Sequence, residues 1–230
     1  VRFLCLSDVH GHADALGAVL ATAERRGYDG LLVAGDLCFP GPEPLATWRR
    51  LAQLGAVCVQ GVGDRALATL DPAELHPRDA FERTRLERLR AVREELGPTV
   101  LRQLAELPPM VRLPLGGGRE ILLVHGSPRD PLEPLTHDTS DEVLAELLGE
   151  EPAEIVLCGG SHVAFDRRVP RPAGATRVVN LGSVGEAPGE GGVGGFAHAT
   201  FVEIEGGGIE IEQFIVPLGR PVMAVGASAG

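Results

Sequence analysis

Four short clusters of carboxylate and imidazole residues stand at the ends of apolar runs: Asp8-Val9-His10, Gly35-Asp36, His125-Gly126 and Gly159-Gly160-Ser161-His162. Such groups are not tolerated in the middle of a buried sheet, and the carboxyl ends of strands in α/β sheets are where sites are built. Carboxylate oxygen and imidazole nitrogen together suit divalent transition ions such as Mn, Fe, Zn or Co, whereas Mg and Ca favour all-oxygen shells. Asp8 and His10 are two residues apart on an extended segment, so both side chains can turn to one side and chelate one ion. Any one of these histidines reads equally well as a capping or hydrogen-bonding residue. Their joint placement at successive strand ends is what points to a metal centre.

The elements that must position these clusters alternate strand, helix, strand, helix, strand, the order of an α/β sheet. The spacing predicts strands at 2–7, 30–34 and 56–60 and helices at 13–26 and 42–54, the first with Leu16, Val19, Leu20 and Ala23 on one face and Gly27 as its stop. Residues 80–107 have the Arg, Glu and Leu content of exposed helices, broken at Gly97-Pro98. Strands follow at 110–113 and 120–124, then a helix ending near Leu148 that Thr139 and Glu142 could cap. Further strands are expected at 155–158, 163–169 and 177–180. The Gly-rich stretch 189–195 lacks a Gly-Lys-Ser/Thr ending and reads as a flexible connection. Ile209 and Ile211 alternate with Glu210 and Glu212 in a terminal hairpin turned by residues 206–208. No repeat or linker divides the chain, so one domain over 1–216 with a loosely packed tail at 217–230 is expected.

Composition narrows the function classes. The chain has 230 residues, 44% hydrophobic and 23% charged, enough for one sizeable core. A net charge of −11, one Trp and one Tyr disfavour an extended nucleic-acid surface. All 21 basic residues are Arg, which reads as a composition bias spread over exposed helices. The four scattered cysteines do not make a disulfide framework. No apolar stretch suits a membrane span and no basic leader precedes the first strand, so a cytoplasmic protein is expected. Neither serine cluster has the Gly-x-Ser-x-Gly nucleophile turn, which argues against a serine hydrolase.

Six ordered segments carry a resemblance: Ser7-Asp8-Val9-His10-Gly11, Gly35-Asp36-Leu37, residues 61–67, Val124-His125-Gly126-Ser127-Pro128, residues 159–162, and Asn180-Leu181-Gly182-Ser183-Val184-Gly185. From Phe3 to about Val216 the chain resembles calcineurin-like metallophosphoesterases, most closely the small bacterial YfcE-type phosphodiesterases. The resemblance implies a four-layer α/β/β/α sandwich of two mixed sheets, and hydrolysis of a phosphomonoester or phosphodiester by metal-activated hydroxide. It also implies that Asp8, His10 and His162 bind a first divalent ion, that Asp36 bridges, and that His125 binds a second. The second position departs from the family pattern: Val62 stands where a metal-binding Asn is expected and Gly160 where a histidine is expected. One firmly held ion and a doubtful second one are therefore expected.

Gly63 also replaces the proton donor that many relatives carry, a group whose loss is typically worth about 10²–10⁴ in rate. His12 and Asp64 are the catalytic candidates to compensate, with Cys38, Ser161 and His137 nearby in sequence. Arg129 and His137 are the candidate phosphate contacts in the loops around the site. Two readings follow from these substitutions. One is a phosphoesterase acting on a small phosphorylated substrate. The other is a member without turnover that binds a phosphorylated ligand, a metal or a protein partner.

Overall fold

The computed structural model describes residues 1–116, 119–151, 153–172, 174–189, 192–219 and 223–224. In chain order the elements are β1 (Arg2–Leu6), α1 (Ala13–Glu24), β2 (Gly30–Val33), α2 (Pro44–Gln53), β3 (Val57–Cys58), α3 (Val62–Thr69), α4 (Ala80–Ala105), β4 (Met110–Gly116), β5 (Arg119–Val124) and α5 (Asp141–Leu148). They continue with β6 (Ile155–Cys158), β7 (Phe165–Arg171), β8 (Gly174–Asn180), β9 (Pro188–Gly189), β10 (Gly192–Val193), β11 (Phe196–Glu205), β12 (Gly208–Pro217) and β13 (Met223–Ala224).

Two mixed five-stranded sheets form the centre, in the orders β12-β11-β1-β2-β3 and β4-β5-β6-β8-β7. β1, β2 and β3 run parallel in the first, and β5, β6 and β8 run parallel in the second. The period-two alternation of their side chains sorts them into three cores. Leu4, Leu6, Leu31 and Val33 face α1, α2, α3 and α4. Cys5 and Leu32 face the other way and meet Ile121, Leu123, Ile155 and Leu157 between the sheets. Leu122, Val124, Val156 and Cys158 pack under Leu144 and Leu148 of α5. This is the expected α/β/β/α layering. Because both sheet faces are covered, these strands read as unbroken apolar runs, and a slip of one residue in β1 or β5 would exchange two cores.

Differences from the sequence expectation are local. α3 was not anticipated, since Gly61 and Gly63 obscure a helix only eight residues long. Asp64, at the third position of α3, accepts from the Gly61 and Leu37 amides at 3.0 Å each and so joins the start of α3 to the loop after β2. α4 carries the expected break as a kink at Gly97 (φ 70°, ψ 170°). Ser140, not Thr139, caps α5 by accepting from the Val143 amide, while the Thr139 hydroxyl bonds Thr136. The glycine-rich stretch, instead of a plain connection, contributes β9 and β10, which pair with each other and, through β10, with β13. Leu218 in the expected tail packs against the first core, and residues 220–222 and 225–230 of that tail lie outside the described residues. Among the described residues no helix is long and apolar enough to cross a membrane. All four cysteines are free, and burial pushes the thiols of Cys5, Cys38 and Cys158 well above the usual range.

The turn after β8 is bolted to the end of β1. Val184 and Gly185 donate to the Ser7 and Asp8 carbonyls at 3.0 and 3.1 Å, and Ser183 Oγ donates to the Asp8 carbonyl at 2.8 Å. A Cβ on Gly185 would stand 2.3 Å from the Val9 carbonyl oxygen. Replacing Gly185 with Ala is therefore expected to cost about 1–3 kcal/mol of stability by overpacking, read as a lower urea midpoint. Asp64→Ala is expected to lower that midpoint as well, because it leaves two buried amides unpaired at roughly 1–3 kcal/mol each. An unchanged midpoint for Asp64→Ala would contradict the capping role.

Candidate metal centre

The loops that follow β1 and β2 run side by side. The amides of Asp8, His10 and Gly11 donate to the carbonyls of Gly35, Asp36 and Leu37 at 3.1, 2.8 and 2.9 Å. Along these loops Asp8, His10 and Asp36 adopt φ of 54°, 52° and 53°, and His162 after β6 adopts 59°. Among the described residues these are the non-glycine positions with positive φ, a conformation that costs of order 1–3 kcal/mol and persists where the surroundings enforce it. All four are carboxylate or imidazole residues. The backbone gathers them where the parallel strands of the two sheets end.

Five side chains converge there. His10 Nε2 and His162 Nε2 are 2.9 Å apart, and they lie 3.5 and 3.1 Å from Asp8 Oδ1. Asp36 Oδ2 lies 3.9 Å from His10 Nε2 and 3.7 Å from His125 Nε2. Two groups of donors each fall within 4.8 Å of one another: Asp8 with His10 and His162, and Asp8 with Asp36 and His125. His162 is the most exposed of the five, so the site opens on its side.

The surrounding backbone aims these donors. His10 Nδ1 donates to the Phe39 carbonyl at 2.5 Å and His125 Nδ1 to the Ala34 carbonyl at 2.7 Å. A carbonyl only accepts, so each Nδ1 carries the proton and each Nε2 lone pair faces the cluster, the second-layer arrangement that orients metal-ligating histidines. Asp36 Oδ1 accepts from the Gly63 amide at 2.6 Å, and Asp8 Oδ2 accepts from Ser7 Oγ at 2.6 Å and the Gly160 amide at 2.9 Å. Gly159 lets this shell close, since a Cβ there would stand 1.8 Å from Ser7 Oγ.

Asp8 Oδ1 is left buried without a hydrogen-bond partner. The field at the cluster is negative. Burial opposes a charge on His10, yet the nearby carboxylates of Asp8, Asp36 and Glu186 outweigh this and push its pKa up to about 10. Burial likewise opposes a charge on His125, and Asp36 and Asp8 raise it all the same. Burial works against ionised Asp8 too, but the imidazoles of His10 and His162 beside it hold its carboxyl well below the usual range. An orphaned buried carboxylate oxygen, imidazole lone pairs turned inward and a field that favours positive charge fit a divalent cation with nitrogen and oxygen ligands.

The other singled-out residues are placed differently. Asp64 is buried and turned to the two amides it caps. Burial and then repulsion from Asp36 push its pKa up to about 6 against those amide bonds. His12 heads α1 half-buried with its ring against Gly185, and belongs to neither donor group. Arg129 is exposed and pairs with Glu146 of α5 at 3.7 Å, and His137 is exposed, its carbonyl accepting from Arg167. Neither is brought into the cluster. Cys38 is buried with its thiol toward the Pro44 carbonyl, and Ser161 Oγ bonds the backbone of Val163. Val62 is exposed on the first turn of α3, and a Cβ on Gly160 would be 3.3 Å from His125 Nε2. Glu186, which the sequence reading missed, lies 3.9 Å from both His10 Nε2 and His162 Nδ1. Its signal was its place one residue past the Asn180–Gly185 segment.

Among curated proteins no sequence matches the chain. Solved structures share its architecture. The hypothetical protein PH1004 of Pyrococcus horikoshii superposes with a TM-score of 0.76 at 21% identity, over 94% of this chain and 88% of that one. A metallophosphoesterase from Sphaerobacter thermophilus superposes with a TM-score of 0.70 at 22% identity, over 93% and 88%. At these identities the likeness establishes the fold. The family model of the calcineurin-like phosphoesterase superfamily domain matches residues 1–203, a span that contains every residue of the cluster. With the match running through both sheets and the cluster of carboxylates and imidazoles at their shared edge, the chain belongs to the calcineurin-like phosphoesterase superfamily.

Proposed function

We propose that this chain is a metal-dependent phosphoesterase that hydrolyses a small phosphomonoester or phosphodiester, with residues 1–216 acting as one catalytic unit. The observation that carries the reading is the unpartnered, buried Asp8 Oδ1 with two inward-facing imidazole nitrogens beside it. Asp8, His10 and His162, with Asp36 alongside, would hold one transition ion such as Mn, Fe, Zn or Co. Asp36 and His125, sharing Asp8, offer a poorer second position. A divalent ion there supplies Lewis-acid polarisation of a phosphoryl oxygen and activation of the attacking water.

The chain's own groups supply aim and rigidity. The Phe39 and Ala34 carbonyls keep the protons of His10 and His125 on Nδ1, and the Gly63 amide fixes the rotation of Asp36. The left-handed backbone at Asp8, His10 and Asp36 presents these side chains at fixed mutual positions, so little reorganisation remains for the chemical step. His162, on the open side, leaves the approach for substrate.

A specific observation favours a second reading. Beyond the shared Asp8, the second position draws only Asp36 and His125 from the described residues, because Val62 and Gly160 carry no donor atom. In that reading the chain binds an ion and a phosphorylated ligand or partner without turnover.

The test is elemental analysis of the Mn-reconstituted chain together with hydrolysis of bis-p-nitrophenyl phosphate and p-nitrophenyl phosphate. One tightly held ion per chain with turnover is expected, and Asp8→Ala, Asp36→Ala and His162→Ala are each expected to lower turnover by more than about 100-fold. A bound ion without turnover on either ester would select the second reading. A chain that retains no ion would overturn both.

A further inference from the structure

We infer that Arg88 of α4 is a positioning residue for the metal centre, holding in place the loop whose Phe39 carbonyl aims His10. This rests on the reading above that the cluster binds a divalent ion. It goes beyond it by giving α4, which supplies no ligand, control over the first metal position.

Arg88 grips the loop at two points. Its Nε donates to the Pro40 carbonyl at 2.7 Å and its Nη2 donates to the Gly41 carbonyl. A planar guanidinium carries its donors in a fixed fork, so bonds to two consecutive carbonyls set both the place and the tilt of that backbone. Among the described residues the hydrogen bonds of Arg88 go to these carbonyls and to no carboxylate. The half-buried side chain is therefore committed to the loop.

The loop in turn is pressed onto His10. The Phe39 carbonyl, one residue before the gripped pair, accepts from His10 Nδ1 at 2.5 Å. Gly41 lies flat on the His10 backbone, where a Cβ would stand 1.8 Å from the His10 carbonyl oxygen, and the Glu43 amide donates to the Gly11 carbonyl at 2.8 Å. Residues 39–43 thus set both the ring and the backbone of His10, and Arg88 holds them by their middle. A shift of this segment would turn the imidazole and carry Nε2 away from the ion.

The grip extends along one face of α4. Arg85 lies over the Phe39 ring, 5.4 Å from its centroid, and Glu95 Oε1 accepts from the Leu45 amide at 3.3 Å. With Arg88 between them, these residues are spaced three and seven apart, as one helix face requires. A surface arginine that merely ties a helix to a loop looks different. Arg90 is such a residue, donating to the Pro72 carbonyl at 3.0 Å in the exposed turn after α3.

The test is calorimetric titration of the metal-free chain with Mn²⁺, and the visible absorption of the Co²⁺ form, for wild type, Arg88→Met, Arg88→Lys and the control Arg90→Met. Methionine keeps the apolar stem and removes every donor. Losing a cation near a cation site would by charge alone tighten metal binding, so a weakened constant reports geometry. The expected result is a dissociation constant raised about 10-fold in Arg88→Met, the low end for groups that orient ligands, with a changed Co²⁺ spectrum. A smaller rise is expected in Arg88→Lys, whose ammonium lacks the fork, and none in Arg90→Met. An Arg88→Met constant within about twofold of wild type would overturn the inference and leave the proposed function standing. Equal weakening in Arg90→Met would also overturn it, as a general loosening of α4. Thermal unfolding of the metal-free variants checks the fold. If Arg88→Met does not fold, Arg88→Lys decides the matter, and a Co²⁺ spectrum identical to wild type overturns the inference. Wild type that binds neither ion would overturn the proposed function itself.

Discussion

Three backbone hydrogen bonds between the loops after β1 and β2, from Asp8, His10 and Gly11 to Gly35, Asp36 and Leu37, hold two adjacent chain segments in a conformation that neither would adopt alone. The left-handed backbone at Asp8, His10 and Asp36 belongs to this pairing. Asp64 ties α3 into the same loop, so the Gly63 amide lies against Asp36 Oδ1. Loosening this arrangement would release the aim of the ligands, the start of α3 and the seat of the β8 turn on Asp8 together.

The two sheets divide the labour. The first supplies Asp8, His10 and Asp36 from neighbouring parallel strands, and the second supplies His125 and His162 from β5 and β6. The bond from His125 Nδ1 to the Ala34 carbonyl crosses between them at the site and fixes an imidazole of one sheet by the backbone of the other, and the Gly160 amide does the same for Asp8 Oδ2. Asn180 closes the back of the arrangement: its amide nitrogen donates to the Gly159 and Leu135 carbonyls at 2.8 and 3.1 Å, and its Oδ1 accepts from Gly182. The parallel strands of both sheets end at this edge, and Asp8, His10, Asp36 and His125 each hold a backbone partner while Asp8 Oδ1 has none.

Much of this was legible in the sequence because burial on both faces leaves a plain mark. Arg2–Leu6, Gly30–Val33 and Ile155–Cys158 are short apolar runs that end in polar residues, and both the strands and the site residues follow from that one pattern. α3 was hidden because its first turn carries Gly63 and exposed Val62, whose types speak against a helix, while its stabiliser is a buried carboxylate. Asp64 has motif residues as sequence neighbours, but its carboxylate turns to the Gly61 and Leu37 amides, a placement its sequence context does not reveal. Arg129 and His137 are exposed, Arg129 turned to Glu146 of α5, since loop membership does not determine where a side chain points. Glu186 was missed because its approach depends on the fold of the β8 turn, and its place just past the Asn180–Gly185 segment was its one local mark.

The three apolar cores hold the sandwich together without any contribution from the cluster of charges at its edge. In small metal-folded domains the binding energy of the ion is also the folding energy, and a chelator denatures them. Here the cores are built from apolar side chains, and Gly159 and Gly185 draw the backbone tight around the carboxylates. On the proposed reading, folding and ion binding would therefore be separate events, and the ion would enter a scaffold already formed.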